Sequence, residues 1–165
     1  MNFIKGTLSL FLMTTSLLSL GQTINYEQRA MEHFFDSIFY SEYPKASDIQ
    51  FSGLTSERVS QFGFLNPCFG EGRIPEIYTK LETAARNKQL VKPSRVDLSE
   101  FDEIIFKKRR AKSRLKLELA QAVAVDGYYY VELDITVRVH SLDAYYLKIN
   151  EVGDLVDWCK TAIIY

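Results

Sequence analysis

Residues 115–140 read LKLELAQAVAVDGYYYVELDITVRVH, and the reading of this stretch decides the fold. Leu115, Leu117, Leu119, Val123 and Val125 alternate with Arg114, Lys116, Glu118 and small alanines. After Asp126-Gly127, Tyr129, Val131, Leu133, Ile135, Val137 and Val139 alternate with Tyr130, Glu132, Asp134, Thr136, Arg138 and His140. Side chains of a strand point alternately to opposite faces, so a period of two predicts two strands sharing one dry face. Asp-Gly marks the turn between them. A two-residue turn would set Leu119 opposite Asp134 and mix the faces. A three-residue loop pairs Val125 with Tyr129, Val123 with Val131 and Leu117 with Val137. The buried face therefore selects that loop, or an equivalent bulge.

The same argument runs outward in both directions. A loop at Ser141-Leu142-Asp143 pairs Val139 with Tyr145, Val137 with Leu147 and Ile135 with Ile149. A four-residue loop from Glu151 to Asp154 pairs Ile149 with Val156 and Leu147 with Trp158, and sets Lys148 beside Asp157. The result is a four-stranded antiparallel meander. Upstream, Ala30, Met31, Phe34, Phe35 and Ile38 share one helical face. Asn25 is placed to cap that helix, with Gln28 as reciprocal partner, and Pro44 ends it, giving a span of about 26–41. Residues 48–53 read as a short strand, 55–62 as helical turns capped by Thr55, and the breaker-rich 66–75 as a loop. A second helix over 75–89 presents Ile77, Leu81, Ala84 and Ala85. Residues 99–108 fit either a helix start at Ser99 or a strand at Ile104-Ile105-Phe106. The expected fold is α+β, with two main helices packed on one face of a curved antiparallel sheet that ends in the meander.

Hydrophobic residues are 47% and charged residues 25% of 165, the balance of a folded chain rather than a disordered one. The 10 Tyr and 11 Phe can fill a core at this length. A formal net charge of −1 gives no global attraction to nucleic acid or membrane surfaces. The first segment is more informative. Lys5 precedes an apolar run from Leu8 to Leu20, and Ser19 and Gly21 supply the small residues of a cleavage site before Gln22. This is the layout of a secretory signal peptide, too short and too rich in Ser and Thr for a membrane span. The expected organisation is a signal peptide over 1–21 and one α+β domain over 22–165. The mature protein would then be periplasmic or secreted, with no membrane span after cleavage.

Few constellations carry chemistry. His33 and His140 lack the short spacing of zinc ligands, and no phosphate loop, dinucleotide glycine motif or nucleophile elbow occurs. The sequence predicts no cofactor, no metal site and no catalytic residue. Lys107, Lys108, Arg109, Arg110, Lys112, Arg114 and Lys116 form a basic run. Lys107 to Arg110 is the core of a candidate polyanion site, read against a solvated loop leading into an edge strand. Aromatic residues are not interleaved through it, which argues against nucleic acid. Glu132, Asp134, Arg138 and His140, with Lys148 and Asp157, are read as a solvated outer face rather than an acid–base site. Gln121 and Lys160 are polar on the apolar face, where a polar group needs a partner or a wet pocket. Gln121, Tyr145 and Trp158 mark the candidate ligand pocket. Cys68 and Cys159 are a candidate disulfide in an oxidising compartment, against two separate thiols.

The order helix, short strand, helix and long meander resembles the cone-shaped α+β folds of the nuclear-transport-factor-2-like and cystatin-like group. The ending Tyr145-Tyr-Leu-Lys-Ile-Asn-Glu-Val-Gly-Asp-Leu-Val-Asp-Trp158 looks like the last hairpin of such domains. That resemblance implies a fold shared by isomerases, hydrolases and non-catalytic binding or assembly domains; the isomerases use carboxylates in the cone, where this chain has Gln121. The leading expectation is an exported non-catalytic domain that binds a small ligand or a partner protein, or pairs as a homodimer through the outer sheet face. The rivals are a small cone-pocket isomerase or hydrolase and a polyanion-binding envelope protein.

Overall fold

A computed structural model describes residues 23–57, 68–69, 74–88, 92–107, 113–138 and 141–164. The segment read as a signal peptide, most of the turns expected over 55–62, much of the 66–75 loop, and Lys108, Arg109, Arg110 and His140 lie outside the described residues.

The first helix begins as expected. Asn25 accepts the amide of Gln28 through its side chain, capping α1 (Tyr26–His33). The Gln28 side chain does not return to Asn25. Instead it bonds the backbone of Asp97 in both directions, at 2.7 and 3.3 Å, tying the helix start to a distant loop. The helix continues as a π-helical segment, Phe34–Phe39, and ends in one turn, α2 (Tyr40–Glu42). Phe34, Phe35, Ile38 and Phe39 are all buried there. The wider π turn draws side chains at i, i+1, i+4 and i+5 toward one line, which suits four large apolar groups on one sheet face.

The strands are β1 (Asp48–Gln50), β2 (Ile105–Lys107), β3 (Lys116–Leu119), β4 (Val123–Val125), β5 (Tyr128–Arg138), β6 (Ser141–Asn150) and β7 (Leu155–Ile164), with α3 (Ile74–Asn87) between β1 and β2. Of the two alternatives for residues 99–108, the strand is the one present, over Ile105–Lys107, and no helix starts at Ser99. A 3₁₀ turn at Leu98–Glu100 is capped by Asp97 rather than Ser99, and β2 follows it. The sheet order is β2-β1-β3-β5-β6-β7, with β4 also paired to β5. β1 runs parallel to both neighbours and the remaining pairs are antiparallel. The fold is thus α+β, helices on a mixed seven-stranded sheet whose C-terminal part is the meander.

The first hairpin is tighter than expected. Asp126 and Gly127 both have positive φ, +51° and +77°, the signature of a two-residue type I′ turn, and Val125 pairs with Tyr128. The mixing of faces is averted by a bulge at Ala120-Gln121-Ala122. Val123 lies opposite Tyr130 while Leu119 lies opposite Leu133, so four steps on one strand face three on the other. Leu117 consequently pairs with Ile135, not Val137. The β5–β6 register is also corrected: residues 141–143 belong to β6, and Ile135 pairs with Asp143. The shift is even, so the faces survive. At the last hairpin Leu147 pairs with Trp158 and Lys148 with Asp157 as read, while a register shift places Leu155 rather than Val156 opposite Ile149.

The bulge divides the core. Leu117, Leu119, Val131, Leu133, Ile135, Tyr145, Leu147 and Ile149 pack with α1 and the π segment. Val123, Val125, Tyr130, Ala144 and Tyr146 project from the opposite face and pack with Leu81 and Ala85 of α3. The two long helices therefore lie on opposite faces of the sheet. Both grip the bulge, since Ala122 N–H donates to Glu27 Oε1 at 2.9 Å and the Lys88 ammonium donates to Ala122 O.

Candidate functional site

β1 and β3 share one aligned pair, Gln50 with Lys116, and the Gln50 amide donates to Leu115 O. Beside that short contact lies a groove of about 1230 Å³, lined by segments 43–48 and 113–116 and the end of β5 at Thr136 and Val137. Its depth is apolar, formed by Tyr43, Ala46, Leu115 and Val137. Its size exceeds the roughly 300–1,000 Å³ common for small-molecule sites.

The walls are fixed by polar contacts. Asp48 accepts Lys107 Nζ at 2.6 Å and Ser113 Oγ at 2.5 Å, and Ser113 Oγ accepts the Leu115 amide at 3.2 Å. The Lys107 and Ser113 bonds hold the Asp48 carboxyl below the usual carboxylate range. At the other end of segment 43–48, Tyr43 donates to Asp143 Oδ2 at 2.6 Å and accepts Tyr145 Oη–H at 3.0 Å. Lys160 completes the cluster at 2.7 Å from Glu42 and 3.1 Å from Asp143. Burial, then the Asp143 bond, pushes the Tyr43 phenol well above its ordinary range. For Lys160 burial acts downward, but the bonds to Glu42 and Asp143 outweigh it and hold the ammonium above its ordinary value. Tyr43 and Lys160 thus keep their ordinary charge states near neutral pH, and the cluster acts as a clamp on the end of the first helix.

At the mouth, charge is unevenly matched. Asp48 is neutralised by Lys107, and Lys116 is paired with Glu118. Lys45 and Arg114 are both exposed and make no ion pair among the described residues. The Arg114 charge acts on Asp48, which Lys107 already holds, and neither Lys45 nor Arg114 has a salt bridge of its own among the described residues.

The residues expected to matter fall in different places. Of the basic run, Arg114 and Lys116 line the groove while Lys107 is committed to Asp48. Tyr145 and Trp158 do meet, with ring centroids 6.3 Å apart, but Tyr145 is fully buried in the core and Trp158 is 39% exposed. Gln121 is buried in the bulge on the other side of β5, and it is not without a bonding partner. None of these three lines the groove. Lys160, the other polar residue on that face, finds its partners in Glu42 and Asp143. Glu132 and Asp134 are not solvated as expected; each is 3% exposed, and neither lacks a partner. They belong to the face that the bulge and α3 convert from outer surface to interior. Among the described residues no group of three His, Cys, Asp or Glu side chains converges as a metal site, and no helix is long and apolar enough to cross a membrane.

Cys68 and Cys159 are bonded, with Cα atoms 5.5 Å apart across 91 residues of sequence. Cys159 projects to the α3 face, and the bridge pins the chain at Phe69 against Tyr130, ring centroids 5.5 Å apart.

The sequence reading missed Tyr43, Lys45 and Ser113. The available signal was the turn Tyr43-Pro-Lys45 directly after a helix, facing the start of a strand that opens on a basic run. Comparisons with protein-family models, curated proteins and solved structures find no match to this chain.

Proposed function

We propose that this chain is an exported, non-catalytic binding domain that holds a small ligand in the groove between segments 43–48 and 113–116. The observation that carries the reading is the groove itself: a large, mostly apolar recess whose segment 43–48 is held at both ends, to Ser113 and Lys107 through Asp48 and to Asp143 of the Lys160 cluster through Tyr43. A pre-formed recess lowers the ordering cost of binding. Export is supported by Lys5, the apolar run to Leu20 and the small residues Ser19 and Gly21. N-terminal sequencing of exported material should begin at or near Gln22, and an intact Met1 would reject export with cleavage.

The groove is tested by filling it. Ser47 is exposed on its wall, so Ser47→Trp should block the recess and leave the core untouched. A thermal-shift screen of small ligands should yield stabilisers that fail with Ser47→Trp, while the unliganded variant melts within about 1–2 °C of the parent, as expected for surface changes. Stabilisers that act equally on both proteins would refute the assignment.

A homodimer has one observation in its favour. β7 is a ten-residue edge strand, and Val156 and Trp158 are exposed along it at 48% and 39%. Unpaired edges of this length template pairing with another chain. We therefore put self-association at the edge, since Glu132 and Asp134 of the face first expected to pair are buried. Light scattering should show a dimer that Val156→Lys converts to monomer; a concentration-independent monomer in the parent would remove this reading.

A further inference from the structure

We propose that the ligand is a single long-chain amphipathic anion, a free carboxylate of the fatty-acid type, with its headgroup between Lys45 and Arg114 and its chain along Ala46, Leu115 and Val137. The inference rests on the groove being a ligand site and adds the chemistry of the occupant. It comes from the asymmetry of the recess. Its interior offers apolar wall at Ala46, Leu115 and Val137, and two of its polar groups are already spent, Asp48 on Lys107 and Ser113 and Tyr43 on Asp143. A ligand with polar groups along its length would bury them unpaired, at a cost in affinity. At the rim the balance reverses, because Lys45 and Arg114 form no salt bridge among the described residues, and Asp48, on which the Arg114 charge acts, is already bonded to Lys107. One anion at one end and hydrocarbon elsewhere satisfies both halves. Both cations are solvated, so they select the headgroup, and the buried chain supplies most of the affinity.

The commitment is to a free ligand and not to a membrane surface. Two cations flanking one recess suit one headgroup, and among the described residues the neighbouring Lys107 and Lys116 are already paired; Lys108, Arg109, Arg110 and Lys112 lie outside the described residues, and vesicle co-sedimentation tests a membrane surface directly.

The experiment is calorimetric titration of the purified protein with sodium laurate, sodium octanoate and 1-dodecanol, repeated on the double variant Lys45→Gln/Arg114→Gln. Laurate should bind one to one and more tightly than octanoate, by up to roughly fourfold per methylene. The double variant should lose about tenfold in laurate affinity and leave dodecanol binding unchanged, and added salt should weaken laurate but not dodecanol. Its melting temperature should match the parent, since both residues are exposed. Equal binding of dodecanol and laurate, indifferent to the variant, would overturn the anion and leave the groove standing. Binding of laurate that survives Ser47→Trp would overturn both. Co-sedimentation with phosphatidylglycerol vesicles in the absence of laurate binding would assign the cations to a membrane and overturn the proposal.

Discussion

Two deletions of one residue each test the division of the sheet by the bulge. Removing Gln121 leaves five steps from Leu119 to Val125, matching the five from Leu133 to Tyr128, so a regular strand can form with both existing ends in register. In that strand Ala122 sits opposite Val131 on the α1 face, and Val123 stays opposite Tyr130 beneath α3. Removing Ala124 also gives a regular strand of the same length. Its contents differ: Val123 moves opposite Tyr129 on the α1 face, Ala122 replaces it opposite Tyr130, and Gln121 is forced opposite Val131 in the apolar core. Both deletions lose the bulge's bonds to Glu27 and Lys88, so that cost cancels in the comparison. What remains is Val123, 2% exposed, giving way to alanine under α3, about 1.5–3 kcal/mol. To this is added a glutamine amide without its partners, about 1–3 kcal/mol. The Ala124 deletion should therefore be about 2.5–6 kcal/mol less stable than the Gln121 deletion, a large share of a typical domain's stability. Urea unfolding followed by fluorescence of Trp158, the single tryptophan, measures both. Equal costs, or a less stable Gln121 deletion, would refute the two-faced core.

Tyr43→Phe removes the donor to Asp143 and the acceptor for Tyr145, yet Asp143 keeps Lys160; a loss of about 1–2 kcal/mol in urea unfolding is expected, and no loss would mean the clamp does not hold the helix end. The lowered Asp48 pKa gives stability that is present above its unfolded value near 4 and lost as pH falls through the folded one. Acid unfolding of the parent should thus steepen below about pH 4 relative to Asp48→Asn, and superimposed profiles would contradict the Lys107 and Ser113 bonds. Reduction of Cys68–Cys159, or Cys68→Ser/Cys159→Ser, should cost about 4–5 kcal/mol by the chain-entropy relation for a loop of this length, read as a drop in melting temperature. Two alkylatable thiols in unreduced exported protein would instead show that the bridge does not form.

The helices were legible because their apolar faces repeat at the helical period and their ends carry chemistry of their own, Asn25 at one and Pro44 near the other. The meander was legible because alternation survives any even slip, so an error of register between β5 and β6 left every face correct. Odd slips are another matter. Leu115 to Val125 keep the period of two with Gln121 as the one polar residue in the apolar register, and that near-continuous pattern conceals the bulge, because Ala120, Gln121 and Ala122 do not mark on which side the extra residue falls. Two small alanines are what allow it: they can be absorbed without leaving a large side chain unhoused, and the backbone of Ala122 is recruited by Glu27 of α1 and by Lys88 just after α3. The stronger local signal was the turn. Asp-Gly prefers two residues at positive φ, and the turn kept its preference while the strand gave way. Weighing turn chemistry above strict alternation would have placed Val123 and Val125 on the second face, and with them the burial of Tyr130, Glu132 and Asp134. The groove was less accessible to this kind of argument. It lies beside the short contact of β1 with β3, a parallel contact between segments about 65 residues apart, and alternation within one segment carries no information about where two distant segments meet.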